Sequence, residues 1–499
     1  MSVINDLVSG PPQPGNRLRV ARLGALESWD HTEIWELSGR VATHLHGMGI
    51  RAGDRIGILA ANCLEWVLLD LAALRIRAVT AGYDPGKFQE TGDELVAAHG
   101  LAVLFTDRDE TSDRVRPLRG LSDLPPSDAD LPAVTWAPGE ATALKFTSGS
   151  SGPAKSLLAS VGSIDDSLAA VQSMFAHGPG DDLFVFLPLS LLQQRYWVYS
   201  ALVFGHDVTI TTYEAAYATM RAVRPTVIMG VPGFYDAARR HLAATALRTG
   251  ADPAAVAKEV FGDRIRYLWT GSAPASPETL RYFADVGLPI YEGYGLNETC
   301  IVAKNHPGAH RPGSVGRVVN GREVVIDEDG VINVRSRHPV ATRYEHARPD
   351  DSAAMFLPGG TVRTGDLGYL DEDGYLFVLG RADNTIVLDN GKKIVVRPIE
   401  EQLKACPAVE DCVLVNLAPR ELVAIVSPSA DDVDTAQLAA ALKRANGALG
   451  HDEQIARVVV SERFTVDNGL LSSQFKPLRR RIEARYWSLV TDPEEGIHA

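Results

Sequence analysis

Short apolar runs alternate with helix-length segments through the first three quarters of the 499-residue chain. The run "RIGILA" (55–60) follows the turn "RAGD" and precedes the helical pattern "CLEWVLLDLAALRI" (63–76). The same order of apolar run and then helix or turn recurs at "LAVLFTD", "DLFVFLPLS", "DVTITT", "PTVIMGVP" and "IRYLWTGSA". Buried strands that alternate with helices predict an α/β fold built in layers.

The pattern changes after Arg311. The stretches "SVGRVVNGREVVIDEDGVINVRS" (314–336) and "TVRTGDLGYLDEDGYLFVLGR" (361–381) are rich in strand-forming residues, and each contains a "DEDG" turn that suits a hairpin. Helix and strand patterns then alternate again to the end of the chain. We predict a large N-terminal domain (1–380) of α/β subdomains with a β-rich section, a hinge (381–383) and a small α+β C-terminal domain (384–499).

Composition and charge narrow the class of protein. Hydrophobic residues make up 45% of the chain and charged residues 22%, as in ordinary globular proteins. The net charge of -14 disfavours nucleic acid or an anionic membrane as a partner, since those surfaces attract basic faces. No apolar run reaches the roughly 18 residues that span a bilayer, and no signal peptide opens the chain. The four cysteines lack metal-ligand spacing, so we expect free thiols and a cytoplasmic protein.

The stretch "FTSGSSGPAKS" (146–156) suggests a phosphate-binding loop. It follows the predicted strand "ATALKF" and combines glycines, hydroxyl side chains and one lysine, which together favour an anion. Counted from Gly149, it is a Walker-type loop with Ala154 in place of the second glycine. A Ser/Thr/Gly-rich phosphate loop of another type and an exposed loop without a ligand are the alternatives. This stretch alone does not choose among them.

Four further stretches distinguish among these interpretations of the loop. In chain order they are "GYGLNET" (293–299), "TGD" (364–366), "GRADNTIVLDNGKKI" (380–394) and "NGLLSSQFKPLRRR" (468–481). With the phosphate loop they resemble the motifs of the adenylate-forming superfamily, which includes acyl-CoA synthetases, peptide-synthetase adenylation domains and luciferases. The resemblance covers nearly the whole chain, and the residues within the motifs are similar to those of the long-chain acyl-CoA synthetases. It implies a small C-terminal domain that is mobile.

The resemblance also implies roles for the matching residues. Those expected to bind ATP or AMP are Thr147, Ser148, Gly149, Ser150, Ser151, Gly152, Lys155, Gly271, Ser272, Ala273, Tyr294, Gly295, Asn297, Asp366, Arg381 and Lys476. The expected catalytic residues are Thr147, Glu298 and Lys476. Glu298 would hold Mg²⁺, a hard cation that prefers oxygen ligands, and Lys476 would neutralise charge as the acid meets the α-phosphate.

The sequence departs from the family pattern in ways that bear on the substrate. Leu191, in "LPLSLLQQRYW" (187–197), occupies a position that often carries histidine, so this wall of the acid pocket is more apolar. We therefore expect a bulky hydrophobic acid, and a buried helix start without substrate contact is the alternative. The residues expected to line the acyl pocket are Leu191, Tyr196, Trp197, Met229, Val231 and Phe234.

Two functions remain open from the sequence. The first is an acyl-CoA ligase that uses ATP and Mg²⁺, with CoA as co-substrate; Asp383 would act as the hinge and Gly391 would line the CoA path. The second is a stand-alone adenylating enzyme that passes acyl-AMP to an acyl-acceptor protein or a separate transferase. A P-loop NTPase is disfavoured by Ala154 and by the downstream motifs, and a non-catalytic nucleotide-binding protein by the presence of Glu298, Asp366 and Lys476.

Overall fold

The computed structural model describes residues 2–22, 24–126, 131–147, 155–345, 349–387, 393–417, 421–431, 433–450, 453–472, 476–492 and 495–498. Contacts between residues divide the chain into two compact units. The first comprises 1–325, 333–363 and 371–376, and the second comprises 326–332, 364–370 and 377–499. The domain limits at 380–384 stay a prediction; the segments 326–332 and 364–370 group with the C-terminal residues.

The helices are α1 (Val3–Ser9), α2 (His31–Gly47), α3 (Leu64–Arg75), α4 (Gly92–His99), α5 (Val161–Phe175), α6 (Leu192–Phe204), α7 (Ala216–Val223), α8 (Pro232–Thr249), α9 (Pro253–Phe261), α10 (Pro277–Asp285), α11 (Pro349–Met355), α12 (Val396–Lys404), α13 (Thr435–Ala448) and α14 (Arg479–Thr491). Many of them begin at a residue whose side chain accepts a hydrogen bond from the first turn, as sequence capping rules predict. Asp30 and Thr91, for example, each form a capping box with a glutamate three residues later.

The strands of the first 320 residues are β1 (Arg17–Arg22), β2 (Ala25–Asp30), β3 (Arg55–Leu59), β4 (Val79–Tyr83), β5 (Val103–Thr106), β6 (Val115–Pro117), β7 (Ala141–Phe146), β8 (Ser156–Ser160), β9 (Asp182–Val185), β10 (Asp207–Ile210), β11 (Val227–Gly230), β12 (Tyr267–Thr270), β13 (Ile290–Leu296), β14 (Cys300–Lys304) and β15 (Arg317–Val318). The later strands are β16 (Arg322–Ile326), β17 (Val331–Ser336), β18 (Phe356–Leu357), β19 (Thr361–Leu370), β20 (Leu376–Arg381), β21 (Thr385–Val387), β22 (Lys393–Val395), β23 (Val409–Leu417), β24 (Glu421–Pro428), β25 (Ile455–Val460) and β26 (Ile497–His498).

Two sheets of the first unit contain its parallel strands. One has nine strands in the order β15-β14-β13-β12-β11-β9-β10-β1-β2, and the other has six in the order β6-β5-β3-β4-β7-β8. The inner pairs of both sheets are parallel, while β2, β8, β14 and β15 pair antiparallel at the edges. These parallel strands with interposed helices confirm the predicted α/β layers.

The largest apolar core of the first unit joins both sheets. It packs strand residues of the six-stranded sheet, such as Ile56 and Ile58, with Leu183 and Val185 of the nine-stranded sheet and with helices α2, α3, α5 and α6. Ligands bind in α/β folds beyond the carboxyl ends of parallel strands. Such ends occur here at β7 and β12, which lead directly into predicted site residues.

The second unit contains the four-stranded sheet β23-β24-β25-β26 and the pair β21-β22. Its core packs α12 and α13 against one face of the larger sheet, while α14 packs on residues such as Val413 and Ile425 of the other face. Helices on both sides of a mainly antiparallel sheet confirm the predicted α+β character of this part.

Other features predicted from the sequence have direct counterparts. Both "DEDG" stretches form turns, with the amide of Gly330 donating to Asp327 at 2.9 Å and that of Gly374 donating to Asp371 at 3.0 Å. All four cysteines are free and buried. Among the residues that the structure describes, no helix is both long enough and apolar enough to cross a bilayer.

Candidate active site

The predicted phosphate loop connects two antiparallel strands of the six-stranded sheet. Strand β7 ends at Phe146, which pairs with Ser156 at the start of β8. The amide of Thr147 donates to the carbonyl of Lys155 at 2.8 Å, so the two ends of the loop are held together. The loop residues Ser148, Gly149, Ser150, Ser151 and Gly152 lie outside the described residues.

Asn297 and Glu298 lie in the tight turn between β13 and β14. The amide of Leu296 donates to the Thr299 hydroxyl at 3.0 Å, which closes the turn. Cys300 has a φ of +55°, and a Cβ at Gly295 would lie 1.9 Å from the Cys300 carbonyl oxygen. Only glycine fits at 295, because any side chain there would collide with the backbone.

Two contacts join this turn to the strand that precedes the phosphate loop. The buried Lys145 Nζ donates to the carbonyl of Asn297 at 2.9 Å, and Asn297 Nδ2 donates to the carbonyl of Phe146 at 3.3 Å. Lys145 was not identified from the sequence, where it is one polar residue in an apolar run. Its hydrogen bond joins the turn that carries the expected metal residue to the strand that leads into the expected phosphate loop.

Glu298 is the buried carboxylate at the centre of this arrangement. Its side chain is only 6% exposed, and Oε1 accepts a hydrogen bond from the Tyr344 hydroxyl at 2.7 Å. Within the described part of the chain, Oε2 has no hydrogen-bond partner. An oriented carboxylate oxygen suits Mg²⁺, which is usually held by one or two carboxylates together with substrate phosphates. No group of three or more His, Cys, Asp or Glu residues with metal-site geometry occurs among the described residues.

Tyr344 connects Glu298 with the lysine of the phosphate loop. Lys155 Nζ lies 5.1 Å from the centroid of the Tyr344 ring and 3.4 Å from a carboxylate oxygen of Asp351. The Tyr344 amide is held by Ser352 Oγ at 3.0 Å. Neither Tyr344 nor Asp351 was identified from the sequence, because the segment around them shows no periodicity and matches no motif.

The residues expected beside the adenine follow strand β12. Ser272 has a φ of +71°, an uncommon left-handed conformation for a residue with a side chain, and it lies between Gly271 and Ala273. A Cβ at Gly271 would lie 3.4 Å from the carbonyl oxygen of Gly293 on the adjacent strand. Tyr294 lies in β13 beside a bulge, with its side chain partly exposed. The structure thus places Gly271, which directly follows β12, and Tyr294, which lies in β13, on two strands that pair with each other.

Asp366, Arg381 and Asp383 lie together in the second unit. Arg381 Nη1 contacts Asp366 Oδ1 at 3.2 Å and the carbonyl of Thr364 at 2.9 Å, while its Nε contacts Asp383 Oδ1 at 3.2 Å. Asp366 is 8% exposed and Asp383 is exposed. The Arg381 guanidinium therefore pairs with both Asp366, the expected ribose-binding residue, and Asp383, the expected hinge residue.

Lys476 also belongs to the second unit, beside the antiparallel bridge between Leu471 and Pro477 that precedes α14. Its amide donates to Ser472 Oγ at 3.2 Å, and its carbonyl accepts from the Ser472 amide at 2.8 Å. Arg479, three residues later, is bound by the buried Glu400 and by the carbonyl of Leu414 at 3.4 Å. This ion pair fixes the start of α14. Gly391, the expected CoA-path residue, lies outside the described residues.

The expected acyl-pocket residues divide between two apolar clusters of the first unit. Tyr196 and Trp197 are buried in the largest core, and Trp197 Nε1 lies 3.2 Å from the sulfur of Met229. Phe234 is buried in a second cluster, with Val231 packed against it.

Tyr196 lies beside the turn that carries Glu298, since its hydroxyl is 3.2 Å from the sulfur of Cys300. Leu191 is partly exposed and directly precedes α6. Its loop is held at Leu189, whose amide donates to Asn62 Oδ1 at 2.8 Å and whose carbonyl accepts from Arg195 Nε at 2.9 Å.

Two proteins with similar sequences are named as a CoA ligase and an acyl-coenzyme A synthetase. Long-chain-fatty-acid–CoA ligase FadD15 of Mycobacterium bovis is 28% identical, over 90% of this chain and 89% of the relative. The mitochondrial acyl-coenzyme A synthetase ACSM4 of Mus musculus is 26% identical, over 78% of this chain and 72% of the relative.

Solved structures share the fold. MatB from Rhodopseudomonas palustris with bound ATP has a TM-score of 0.80 and 20% identity, covering 97% of this chain and 99% of that one. O-succinylbenzoate coenzyme A synthetase (MenE) from Bacillus subtilis, in complex with ATP and magnesium ion, has a TM-score of 0.77 and 21% identity, covering 96% and 98%. The sequence model of the family described as AMP-binding enzyme matches residues 13–335, more than half of the chain. The chain therefore belongs to the AMP-binding enzyme family.

Proposed function

We propose that this protein is an acyl-CoA ligase that activates a hydrophobic carboxylic acid with ATP. In the first half-reaction the acid's carboxylate oxygen attacks the α-phosphorus of ATP, pyrophosphate leaves, and an acyl-adenylate forms. In the second half-reaction the thiol of CoA attacks the acyl carbon, AMP leaves, and a thioester forms. The carboxylate is a poor electrophile, and the adenylate supplies the leaving group that thioester formation needs.

The observation that supports this proposal most directly is the pair of hydrogen bonds between the "GYGLNET" turn and the strand that leads into the phosphate loop, both in the first unit. The turn with Glu298 is bonded through Asn297 to β7, from which the phosphate loop begins. A catalyst of adenylation must hold a triphosphate, a cation and a carboxylate at once, although like charges repel. A buried carboxylate beside the strand from which a loop rich in hydroxyls and glycines begins suits that task.

Each residue of this constellation has a defined task in the proposal. Thr147 and Lys155 bind the β- and γ-phosphates at the two ends of the loop, and Tyr344 orients the Glu298 carboxylate through its 2.7 Å hydrogen bond. Mg²⁺, when bound by Glu298, supplies positive charge that neutralises the phosphates.

Residues of the second unit have the remaining roles in the proposed reaction. Asp366 accepts hydrogen bonds from the ribose hydroxyls, and Arg381 stabilises negative charge near the α-phosphate. Lys476 neutralises the approaching carboxylate in the first half-reaction, and rotation about Asp383 then brings the Gly391 side of the small domain to the CoA path. These assignments rest on the family resemblance of the motifs.

The names of the sequence relatives support a fatty or otherwise hydrophobic acid and CoA as acceptor. Transfer to an acyl-acceptor protein is the competing second step. A cytoplasmic location and the absence of a nucleic-acid partner remain predictions from the composition.

A panel of carboxylic acids tests the proposal. Pyrophosphate release is measured with ATP and Mg²⁺ for saturated, aryl and short polar acids, and acyl-CoA and AMP are measured with and without CoA. We expect hydrophobic acids to give pyrophosphate and, with CoA, stoichiometric AMP and thioester. Formation of ADP would contradict adenylation. Acyl-AMP that accumulates and never transfers to CoA would instead identify a stand-alone adenylating enzyme.

A further inference from the structure

A cavity of about 170 Å³ lies in the first unit, between helices α1, α2, α3 and α6 and the segment 10–13 that follows α1. Its polar lining consists of Asp6, Gln13, Ser38 and Arg75, and its apolar lining includes Leu7, Trp35, Leu71, Leu202 and Val203. An apolar cavity of about 150 Å³ is large enough to bind benzene. The cavity therefore has room for a compact organic molecule.

This cavity lies at the opposite ends of the strands from the candidate active site. Helix α3 connects the parallel strands β3 and β4, and α6 connects the parallel strands β9 and β10. A helix that connects parallel strands runs antiparallel to them, so its last turn lies near their amino ends. Arg75 is the last residue of α3 and Val203 is the last but one of α6, whereas the phosphate loop begins at the carboxyl end of β7.

Arg75 brings a positive charge to the cavity in a fixed orientation. Its guanidinium lies 3.8 Å from the centroid of the Trp35 ring, and Nη1 donates to the Trp35 carbonyl at 2.6 Å and to Ser38 Oγ at 3.1 Å. A Cβ at Gly39 would lie 3.0 Å from Nη1, so the missing side chain of this glycine leaves room for the guanidinium. Helix α2 thus holds the guanidinium by its backbone, a hydroxyl and an aromatic ring.

The charge of Arg75 has no carboxylate partner among the residues that the structure describes. A guanidinium has five N–H groups, and within those residues only Nη1 is hydrogen-bonded, which leaves the Nε and Nη2 edge for another acceptor. Burial alone lowers the pKa of Arg75 to about 10, because no neighbouring carboxylate opposes the shift. A ligand carboxylate would supply the missing charge, since it pairs with two N–H groups of a guanidinium at once.

The remaining polar residues restrict the charge that the cavity accepts. Asp6 lines the cavity and is exposed, as is Gln13. A ligand with a second negative charge would meet the like charge of Asp6, which is unfavourable. One carboxylate on an apolar body therefore suits this lining better than a dicarboxylate or a phosphate.

We propose that this cavity binds a compact monocarboxylic acid with an aromatic or branched apolar body, of about the size of benzoate. The carboxylate pairs with the Nε and Nη2 edge of Arg75, and the apolar body packs among Trp35 and the aliphatic side chains of α1, α3 and α6. None of the lining residues belongs to the predicted active site, so the cavity is a second site that does not depend on the proposed ligase reaction.

Photolabelling of the full-length protein with 4-azidobenzoate tests this site. The probe is used well below half-saturation and without ATP, so that no acid is activated, and the labelled residues are mapped by mass spectrometry. Benzoate and the uncharged benzyl alcohol are the competitors. The variant is Arg75→Gln, and Arg40→Gln is the matched control, because Arg40 lies on α2, donates to the Leu124 carbonyl at 3.3 Å and does not line the cavity.

We expect label on the segments 6–13, 35–38, 71–75 and 202–203, suppressed by benzoate and not by an equal concentration of benzyl alcohol. Arg75→Gln should lower this labelling at least tenfold, which corresponds to about 1.4 kcal/mol of binding free energy, and Arg40→Gln should leave it unchanged. Undiminished labelling of Arg75→Gln would overturn the proposal. Two results with the wild type would also overturn it, whether or not the variant folds: label confined to other segments, such as 187–197 of the expected acid pocket, or equal competition by benzyl alcohol.

Discussion

Tyr344→Phe should impair adenylation, because it removes the hydrogen bond that orients the expected metal carboxylate. The Tyr344 hydroxyl lies 2.7 Å from Glu298 Oε1, and both residues are 6% exposed. A hydrogen bond to a charged group contributes roughly 1.5–3 kcal/mol. Since about 1.4 kcal/mol corresponds to a factor of ten, we expect kcat/KM for pyrophosphate release to fall by roughly 10- to 150-fold.

The assay is pyrophosphate release with saturating acid, with ATP and Mg²⁺ varied separately. A double-mutant cycle with Glu298→Gln isolates the pair, because the effect of Tyr344→Phe should largely disappear once the carboxylate is absent. Tyr486→Phe is the matched control, since it deletes another tyrosine–glutamate hydrogen bond, 3.1 Å to Glu462, in the second unit. A decrease below twofold, or an equally large effect in the Glu298→Gln background, would refute the reasoning.

Three further predictions concern catalysis, folding and pH. Lys476→Ala should lower the rate of acyl-AMP formation by on the order of 10²–10³ with little change in ATP affinity, since it removes charge stabilisation from the transition state; near wild-type single-turnover adenylation would contradict this role. Gly295→Ala should lower the melting temperature measurably, because its Cβ would lie 1.9 Å from the Cys300 carbonyl oxygen, and an unchanged melting temperature would show that the turn can rearrange. Burial lowers the pKa of His177 to about 3 and of His206 to about 4, whereas an unfolded imidazole titrates near 6.5. The free energy of unfolding should therefore be greatest above about pH 6.5 and decline as the pH falls towards 4, since the unfolded chain binds the extra protons; a His206→Gln variant with the same pH dependence in thermal melts would contradict that assignment.

The sequence by itself determined the features that depend on local chemistry. Alternating apolar runs and helix patterns predicted the α/β layers, because strand and helix periods are properties of neighbouring residues. The "DEDG" turns were predicted for the same reason, and both form. The motif order predicted the family, which the match over residues 13–335 shows.

Only the tertiary structure decided which distant side chains meet. Lys145 binds the carbonyl of Asn297 across 152 positions, and Tyr344 reaches Glu298 across 46. Lys304 ends a short apolar strand, where sequence rules place a charged residue at the surface, yet it is fully buried. Its burial follows from the missing side chain of Gly293 on the paired strand. Such contacts depend on how strands and turns pack against one another, which no local pattern of residues expresses.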